Sequence, residues 1–336
     1  MAREKAVVVG AGGISRAWFG PLAAEKVNVV GVVDLKLDAA RERIEQYGLK
    51  CAASTDLPAT LKRTRPDFVV DLTVPEAHCS VTCTALAHGC HVIGEKPMAS
   101  SMAEARRMVR AADRAGRCYM VSQSRRWDAR HEVVRRVAAG GKLGTLTTIN
   151  CDFYIPAHFG GFRVKMASPL ILDMAIHQFD LARYFTGADP KAVYAYEFNP
   201  PGSWYAGDAA ASCIFEMSDG IVFTFRGSWC AEGCQTSWNG NWRIIGEKGT
   251  LLYENDRPPV AQVAGDKQAF FRGTKDVKIP PERLKHPGQH GALREMLARI
   301  RRGKTPPCEC HDNIKSLSMV FAAMDSARKH RRVAIG

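Results

Sequence analysis

Short apolar runs alternate with amphipathic stretches along the first third of the chain. Each run is rich in β-branched residues and has the length of a buried strand, and the stretches between them have helical spacing. Strands that alternate with helices are typical of a parallel, doubly wound sheet, because each parallel connection needs a crossover helix. The predicted strands lie at Ala6–Gly10, Val27–Asp34, Asp67–Leu72, His91–Gly94 and Cys118–Gln123. Ser101 and Glu104 form a capping box that predicts a helix starting near Met102.

The pattern changes after about residue 124. Two alternating runs, Ala209–Met217 and Ile221–Trp229, flank Ser218-Asp219-Gly220, which favours a β-hairpin. A further strand is predicted near 146–154, and helices are predicted near 131–139, 170–185, 288–302 and 312–330. The overall expectation is therefore an α/β chain with a Rossmann-type parallel domain over 1–123. An α+β domain with a large, mainly antiparallel open sheet should follow over 124–336.

Composition restricts the class of protein. A length of 336 residues fits two domains, and no apolar run is long enough to cross a bilayer. The N-terminus enters a strand pattern without a signal-type segment, so we expect a cytoplasmic protein without a membrane partner. Eleven cysteines, an odd number, indicate reduced thiols, and their spacings do not match a paired zinc site. We therefore expect no bound metal.

The net charge of +13 favours anionic ligands without choosing among nucleic acid, phosphate groups and acidic substrates. Arg and Lys are spread along the chain, and no recognisable nucleic-acid module accompanies them. The local basic clusters are most simply solvated surface. We therefore expect no nucleic-acid partner.

A glycine turn follows the first predicted strand. Gly10 permits a tight turn, Gly12 lets the backbone approach a pyrophosphate, and Gly13 and Ile14 begin the next helix, whose N–H groups attract negative charge. Ser15 stands where a third glycine is usual. A strand, a glycine turn and a helix in this order predict a dinucleotide site.

Asp34 ends the second strand, at the position where an acid can accept hydrogen bonds from the adenosine ribose hydroxyls. A carboxylate there repels a 2′-phosphate, so the sequence predicts NAD in preference to NADP. Lys36 is close enough to weaken that preference.

Two further segments carry groups suited to proton transfer. Lys96 follows a strand at the edge where ligands bind in open α/β sheets, although a solvent-facing turn lysine is the alternative. The helix near 170–185 carries Asp173, His177, Asp180 and Tyr184 at spacings that put them on one face. A solvated face would be richer in Lys and Glu. Asp173 should stay ionised near the helix N-terminus and orient His177 as a proton-transfer group.

Taken together, these motifs resemble the Gfo/Idh/MocA oxidoreductases, the family of glucose–fructose oxidoreductase and inositol 2-dehydrogenase. The likeness covers essentially the whole chain. It rests on Gly10-Ala11-Gly12-Gly13-Ile14-Ser15, Thr73-Val74-Pro75 with His78, Glu95-Lys96-Pro97, Arg125-Arg126-Trp127, Asp173-Met174-Ala175-Ile176-His177 with Asp180, and Asp312-Asn313.

The resemblance implies a catalytic trio of Lys96, Asp173 and His177 around the nicotinamide. It also implies a cis peptide at Lys96-Pro97 and use of the open sheet to form a homodimer or homotetramer. The residues implied to line the cofactor cleft are Thr73, Pro75, His78, Glu95 and Lys96.

The predicted activity is hydride transfer between NAD and a sugar, sugar acid or inositol-type polyol. The candidate substrate ligands are Arg126, Tyr154, His158, Arg163, Trp204 and Tyr205, and Arg163 with Lys165 would suit an anionic group. The main alternative is an NAD-dependent glycosidase that acts by transient ring oxidation and elimination. A dinucleotide-sensing regulator is less favoured, because such a protein should lack the trio.

Overall fold

The computed structural model describes residues 3–265 and 269–336. The chain divides into two compact units, the first formed by the residues up to Trp127 with His286–Ile314, and the second by Asp128–Lys285 with Lys315–Gly336. Residues 286–314 therefore group with the first unit, whereas the sequence division assigned all of 124–336 to the second domain. No helix within the described ranges is long and apolar enough to cross a membrane.

The first unit contains a parallel sheet, as predicted. Among the described residues it has six strands in the order β3-β2-β1-β4-β5-β6, with every neighbouring pair parallel. The order reverses between β1 and β4, which is where ligands bind in doubly wound sheets. The strands are β1 (Lys5–Val9), β2 (Asn28–Val33), β3 (Ala52–Ser54), β4 (Phe68–Asp71), β5 (His91–Gly94) and β6 (Tyr119–Val121).

Five helices connect these strands within the described part of the unit: α1 (Arg16–Ala24), α2 (Leu37–Gln46), α3 (Leu57–Thr64), α4 (Pro75–Ala87) and α5 (Met102–Ala115). Ser101 caps α5, because its hydroxyl accepts a hydrogen bond from the Glu104 N–H at 3.2 Å. The Glu104 carboxylate accepts from the Ser100 hydroxyl at 2.5 Å. The predicted start of this helix is therefore confirmed.

A helix from late in the chain completes the core of the first unit. This helix spans Gly288–Arg302, and its residues Leu293 and Met296 are fully buried in one cluster with Trp18 of α1. Their spacing of three puts both side chains on one helix face. Burial of that apolar face is the physical reason why residues 286–314 group with the first unit.

The second unit contains the large, mainly antiparallel sheet that the sequence predicts. Within the described residues it has nine strands in the order β14-β13-β12-β11-β7-β10-β9-β8-β15, and only β7 and β10 pair in parallel. The predicted hairpin joins β9 to β10 through Asp219 and Gly220, both at positive φ. The strands are β7 (Leu146–Tyr154), β8 (Pro190–Phe198), β9 (Ala210–Met217), β10 (Val222–Ser228), β11 (Asn241–Gly246), β12 (Gly249–Tyr253), β13 (Val260–Ala264), β14 (Thr274–Asp276) and β15 (Val333–Ala334).

Helices cover one face of this sheet. The ring of Phe179 packs edge-on against Phe215 at 4.8 Å and Phe225 at 5.4 Å between centroids. The opposite face carries exposed apolar side chains, among them Tyr194 and Ile214, which are paired across β8 and β9. The predicted use of this open sheet to form a homodimer or homotetramer stays a prediction.

In chain order the remaining helices are α6 (Ala129–Ala139), α7 (Ile176–Thr186), α8 (Gly288–Arg302, in the first unit) and α9 (Cys310–Lys329).

A half-buried acid lies near the segment that leads into α7. The Glu197 Oε2 atom accepts a hydrogen bond from the Ser168 hydroxyl at 3.2 Å. Burial raises the pKa of Glu197 from 4.5 to about 7, and the negative charge of Asp208 acts in the same direction, against the Ser168 hydrogen bond. The folded unit therefore holds this proton more tightly than the unfolded chain does.

We predict that this proton gives stability a pH dependence. Since the folded-state pKa is the higher one, the free energy of unfolding falls as the pH rises from about 4.5 to about 7 and does not change further above that window. Glu197→Gln should remove this slope and raise stability at pH 8 by on the order of 1–3 kcal/mol, measured by urea unfolding at several pH values. Glu216→Gln, at an exposed carboxylate paired with Arg332, is the control and should gain nothing at pH 8. An unchanged slope in E197Q would contradict the assignment.

Candidate active site

The turn after β1 requires a glycine. Gly10 has φ +97, and a Cβ at this position would lie 2.6 Å from the Leu72 carbonyl oxygen. Its N–H donates to the Val33 carbonyl at 2.8 Å. The turn is thus held against the ends of β2 and β4, at the point where the strand order reverses.

The next residues leave open space. A Cβ built on Gly12 or Gly13 would meet no atom of the described residues within 4 Å. Gly13–Ser15 forms a 3-10 turn that leads directly into α1, with the Ile14 side chain exposed. Backbone N–H groups at the start of a helix attract anions. The residues present therefore fit the diphosphate of a dinucleotide.

Asp34 lies at the end of β2 and joins it to the glycine turn. The Asp34 Oδ2 atom accepts from the Ala11 N–H at 2.7 Å, and Oδ1 accepts from the Lys36 N–H at 2.8 Å. Each carboxylate oxygen can accept a further hydrogen bond. The geometry is thus compatible with the predicted contact to a ribose, which stays a prediction.

Asp71, at the end of β4, is a site residue that the sequence reasoning missed. It is fully buried, and its Oδ1 accepts from the Thr73 hydroxyl at 2.6 Å and lies 3.1 Å from His78 Nδ1. Burial lowers the pKa of His78, but the Asp71 carboxylate more than offsets this, so the pKa is raised overall. Pro75 begins α4 and so positions His78. A charged residue in the otherwise apolar β4 was the available sequence signal.

Glu95 and Lys96 follow β5 at the same edge of the sheet. The Glu95 carboxylate is buried and accepts from the Trp18 indole N–H at 2.9 Å. Burial raises the pKa of Glu95, while the Trp18 hydrogen bond and the Lys96 charge oppose that shift. Lys96-Pro97 is a cis peptide, as the resemblance implies. Nothing in the sequence pattern linked Trp18 to Glu95.

Asp173 lies in a π-helical turn, Leu170–Ala175, that runs into α7 in the second unit. Turns of this type are frequent at functional sites. The Asp173 Oδ2 atom accepts from Arg163 Nε at 2.5 Å, so the carboxylate assigned to orienting His177 also holds Arg163. The His177 imidazole is buried one turn further on.

The other two residues of the predicted helix stripe have structural contacts. Asp180 is buried and accepts from the Ser316 hydroxyl at 2.7 Å, and the Tyr184 hydroxyl donates to Glu132 on α6 at 2.7 Å. Burial raises the pKa of Tyr184, and the Glu132 carboxylate adds to this shift. The stripe is therefore partly an interior packing face.

Three of the candidate substrate ligands lie together in the second unit. The His158 ring stacks on Trp204 with centroids 3.6 Å apart, and both the Trp204 N–H and the Tyr205 hydroxyl donate to the Ala157 carbonyl. His158 Nε2 is 3.0 Å from a Glu232 oxygen.

Arg163 belongs to the same loop region, with its guanidinium 4.9 Å from the ring centroid of Phe159 and 4.6 Å from that of Phe162. Tyr154 ends β7 nearby, where its N–H is bonded to the Thr236 hydroxyl. The loop therefore gathers aromatic faces and a cation around Asp173.

Arg126, another candidate substrate ligand, belongs to the first unit. Its side chain is 7% exposed; one NH group donates to the Pro307 carbonyl at 2.9 Å and the other lies 2.9 Å from Asp312. Burial and these two acceptors give Arg126 a structural role, and its predicted contact with substrate stays a prediction.

Among the described residues, two groups of side chains have the donor types and proximity of a metal site: Glu25, His286 and His290, and Glu309, Cys310 and His311. In the first group, one Glu25 oxygen already accepts from both His290 and Arg294 at 2.9 Å. Contacts within the protein therefore already engage Glu25 and His290 of that group. All eleven cysteines are free thiols.

Substitutions at Gly10 and Gly12 of the turn are expected to affect different properties, stability for Gly10 and NADH affinity for Gly12. Gly10→Ala should destabilise the unliganded protein by about 2–5 kcal/mol, because the added methyl strains the backbone and meets Leu72. Gly12→Ala should fold with unchanged stability but weaken NADH on the order of ten- to a hundredfold, since a misplaced methyl costs about 1–3 kcal/mol. Thermal unfolding without ligand and NADH titration separate the two effects. Wild-type NADH affinity in G12A would disprove the proposed diphosphate contact.

Comparison with known proteins agrees with this geometry. Residues 5–123 match the family model of the oxidoreductase family with an NAD-binding Rossmann fold, and residues 131–252 match the GFO/IDH/MocA C-terminal domain.

Among similar proteins, D-apiose dehydrogenase of Paraburkholderia graminis is 26% identical over 99% of this chain and 90% of that protein. Myo-inositol 2-dehydrogenase of Thermotoga maritima is 23% identical over 97% of this chain and 98% of that protein. An oxidoreductase from Agrobacterium radiobacter, solved with NAD+, L-tartaric acid and magnesium, superposes with a TM-score of 0.87 and 21% identity over 100% of this chain and 99% of that one. The glycine turn, the parallel sheet and the matches to both domains lead to one conclusion: the chain belongs to the Gfo/Idh/MocA family of NAD-binding oxidoreductases.

Proposed function

We propose that this enzyme transfers a hydride between NAD and a carbon of a sugar, sugar acid or inositol-type polyol. The observation that carries the proposal lies in the first unit. A glycine turn that fits a diphosphate follows β1, and Lys96 follows β5 of the same parallel sheet. The carboxyl ends of parallel strands share an edge, so both belong to the ligand-binding edge. The eleven free thiols support a reducing compartment such as the cytoplasm.

The substrate class is supported by the relatives and by the loop of the second unit. D-apiose, myo-inositol and L-tartaric acid, named with the similar proteins, all carry adjacent hydroxyl groups. The stacked rings of His158 and Trp204 offer an aromatic face of the kind that packs on a sugar ring. Arg163, with Lys165 exposed two residues on, supplies positive charge that suits a carboxylate on the substrate.

In the proposed mechanism, bound NAD+ supplies the acceptor for the hydride that leaves the substrate carbon. His177 takes the proton from the hydroxyl on that carbon, because a histidine titrates near neutral pH. Lys96 stabilises the negative charge that develops on the same oxygen. Asp173 and Arg163 hold each other through their ion pair and so fix the start of the π-helical turn before His177.

A substrate panel tests the function. Monosaccharides, inositols and sugar acids are incubated with NAD+ and, separately, with NADP+, and reduced nicotinamide is followed by absorbance. We expect NADH to accumulate with at least one polyol, and NADPH to form more slowly or not at all with NADP+, because the Asp34 carboxylate after β2 repels a 2′-phosphate. Release of a glycosidic leaving group without net NADH would instead identify the redox-assisted glycosidase. Absence of both products across the panel would count against the proposal.

We predict that His177→Ala lowers turnover on the order of 10²–10⁴-fold, the usual contribution of general acid–base catalysis. NADH affinity should stay within about twofold of wild type, because the cofactor turn lies on other elements. The control is His88→Ala, at an exposed histidine that ends α4, which should keep wild-type turnover. Near-normal turnover in H177A would contradict the assignment of the proton acceptor.

A further inference from the structure

Arg43 on α2 is a buried cation whose protein partners are all neutral. Its residue is 8% exposed; Nε donates to the Ser15 hydroxyl at 3.1 Å and an NH group donates to the Gln46 side-chain carbonyl at 2.9 Å. Across residues 3–265 and 269–336, no carboxylate lies within ion-pair distance of it. A buried charge is costly unless it is paired with an opposite charge. The missing counter-charge points to a ligand.

The position of Arg43 identifies that ligand. The Ser15 hydroxyl that accepts from Arg43 donates in turn to the Gly12 carbonyl at 2.6 Å. A guanidinium can only donate, so the direction of both hydrogen bonds is fixed. The Gly12 carbonyl is thereby held toward Ser15, and Arg43 is joined through a single hydroxyl to the turn that fits a diphosphate.

This arrangement also explains the departure from the glycine motif. Ser15 occupies the position where a third glycine is usual, and glycine has no hydroxyl to link Arg43 with Gly12. Ser15 is completely buried. The serine and the arginine therefore act as one unit.

We propose that Arg43 supplies the counter-charge for the diphosphate of the dinucleotide and positions the glycine turn through Ser15. The inference rests on the proposed placement of the cofactor at that turn. Arg43 is a positioning residue, because Ser15 stands between its guanidinium and the Gly12 backbone. A single positive charge whose attraction for the diphosphate is partly screened changes the affinity for the dinucleotide on the order of tenfold.

The test compares Arg43→Met with a matched control, Arg41→Met, on the same helix. Arg41 is exposed and pairs with Asp38, so both variants lose one positive charge. The Kd values of NADH, NADPH, ADP-ribose and adenosine are measured for each, together with thermal unfolding without ligand. We expect R43M to bind NADH and ADP-ribose about tenfold more weakly, to bind adenosine like wild type, and to keep its unliganded melting temperature. R41M should match wild type throughout.

Ser15→Ala provides a second variant that does not depend on how well R43M folds. It should weaken NADH severalfold, and the double variant should be no weaker than R43M, because the two residues act in series.

Three results would overturn the inference. Unchanged NADH and ADP-ribose binding in R43M would show that the charge is not used. An equal loss for adenosine, with a lower melting temperature, would assign Arg43 a purely structural role. A loss confined to NADPH would assign the charge to a 2′-phosphate. Failure of the wild type itself to bind NADH would instead overturn the cofactor placement, which the titration reveals before any variant is compared.

Discussion

Gly10 allows the turn after β1 to lie directly against the backbone at the end of β4, with the Leu72 carbonyl carbon 2.7 Å from the place of a Cβ. The same turn is bonded to the end of β2 through the Val33 carbonyl. Because β1 is paired with both β2 and β4, the close approach of Gly10 to Leu72 fixes the sheet edge at the point where the strand order reverses. The candidate cofactor residues after β2, β4 and β5 are placed relative to this turn, so their arrangement depends on a contact that only glycine permits.

Charged groups along this edge are placed by partners on different elements. Asp71 is satisfied by the Thr73 hydroxyl, by His78 on α4 and by the Thr82 hydroxyl, and Glu95 by the indole of Trp18 on α1. Buried charges are tolerated when such hydrogen bonds compensate for the lost hydration. The same bonds restrict the side chains to one arrangement, which is what a preorganised polar site requires. The packing of α1 and α4 on the sheet therefore also determines how the buried carboxylates of this unit are compensated.

Local signals explain what the sequence predicted well. Strand β7, the hairpin at Asp219-Gly220 and the Ser101 cap each depend on neighbouring residues, and the structure has all three. Strand β3 is only three residues long and was missed. Trp18 contacts Glu95, 77 positions away in the sequence, and Arg43 contacts Ser15, 28 positions away. A local sequence pattern does not predict contacts between residues so far apart in the chain. The glycine turn was thus predictable from its motif, while the groups that hold the neighbouring side chains in place required the fold.

The two units differ in what constrains their functional residues. At Gly10 the constraint is backbone against backbone, so an added Cβ has a structural cost. In the second unit, Trp204 and Tyr205 are attached to the Ala157 carbonyl by side-chain hydrogen bonds, and Arg163 is held by one carboxylate and two exposed rings. These side-chain contacts are separate from the backbone pairing of β7 with β10. With the proposed assignment of the second-unit loop to substrate binding, this division of constraints would let substrate preference vary on this scaffold while the requirements for binding the dinucleotide stay the same.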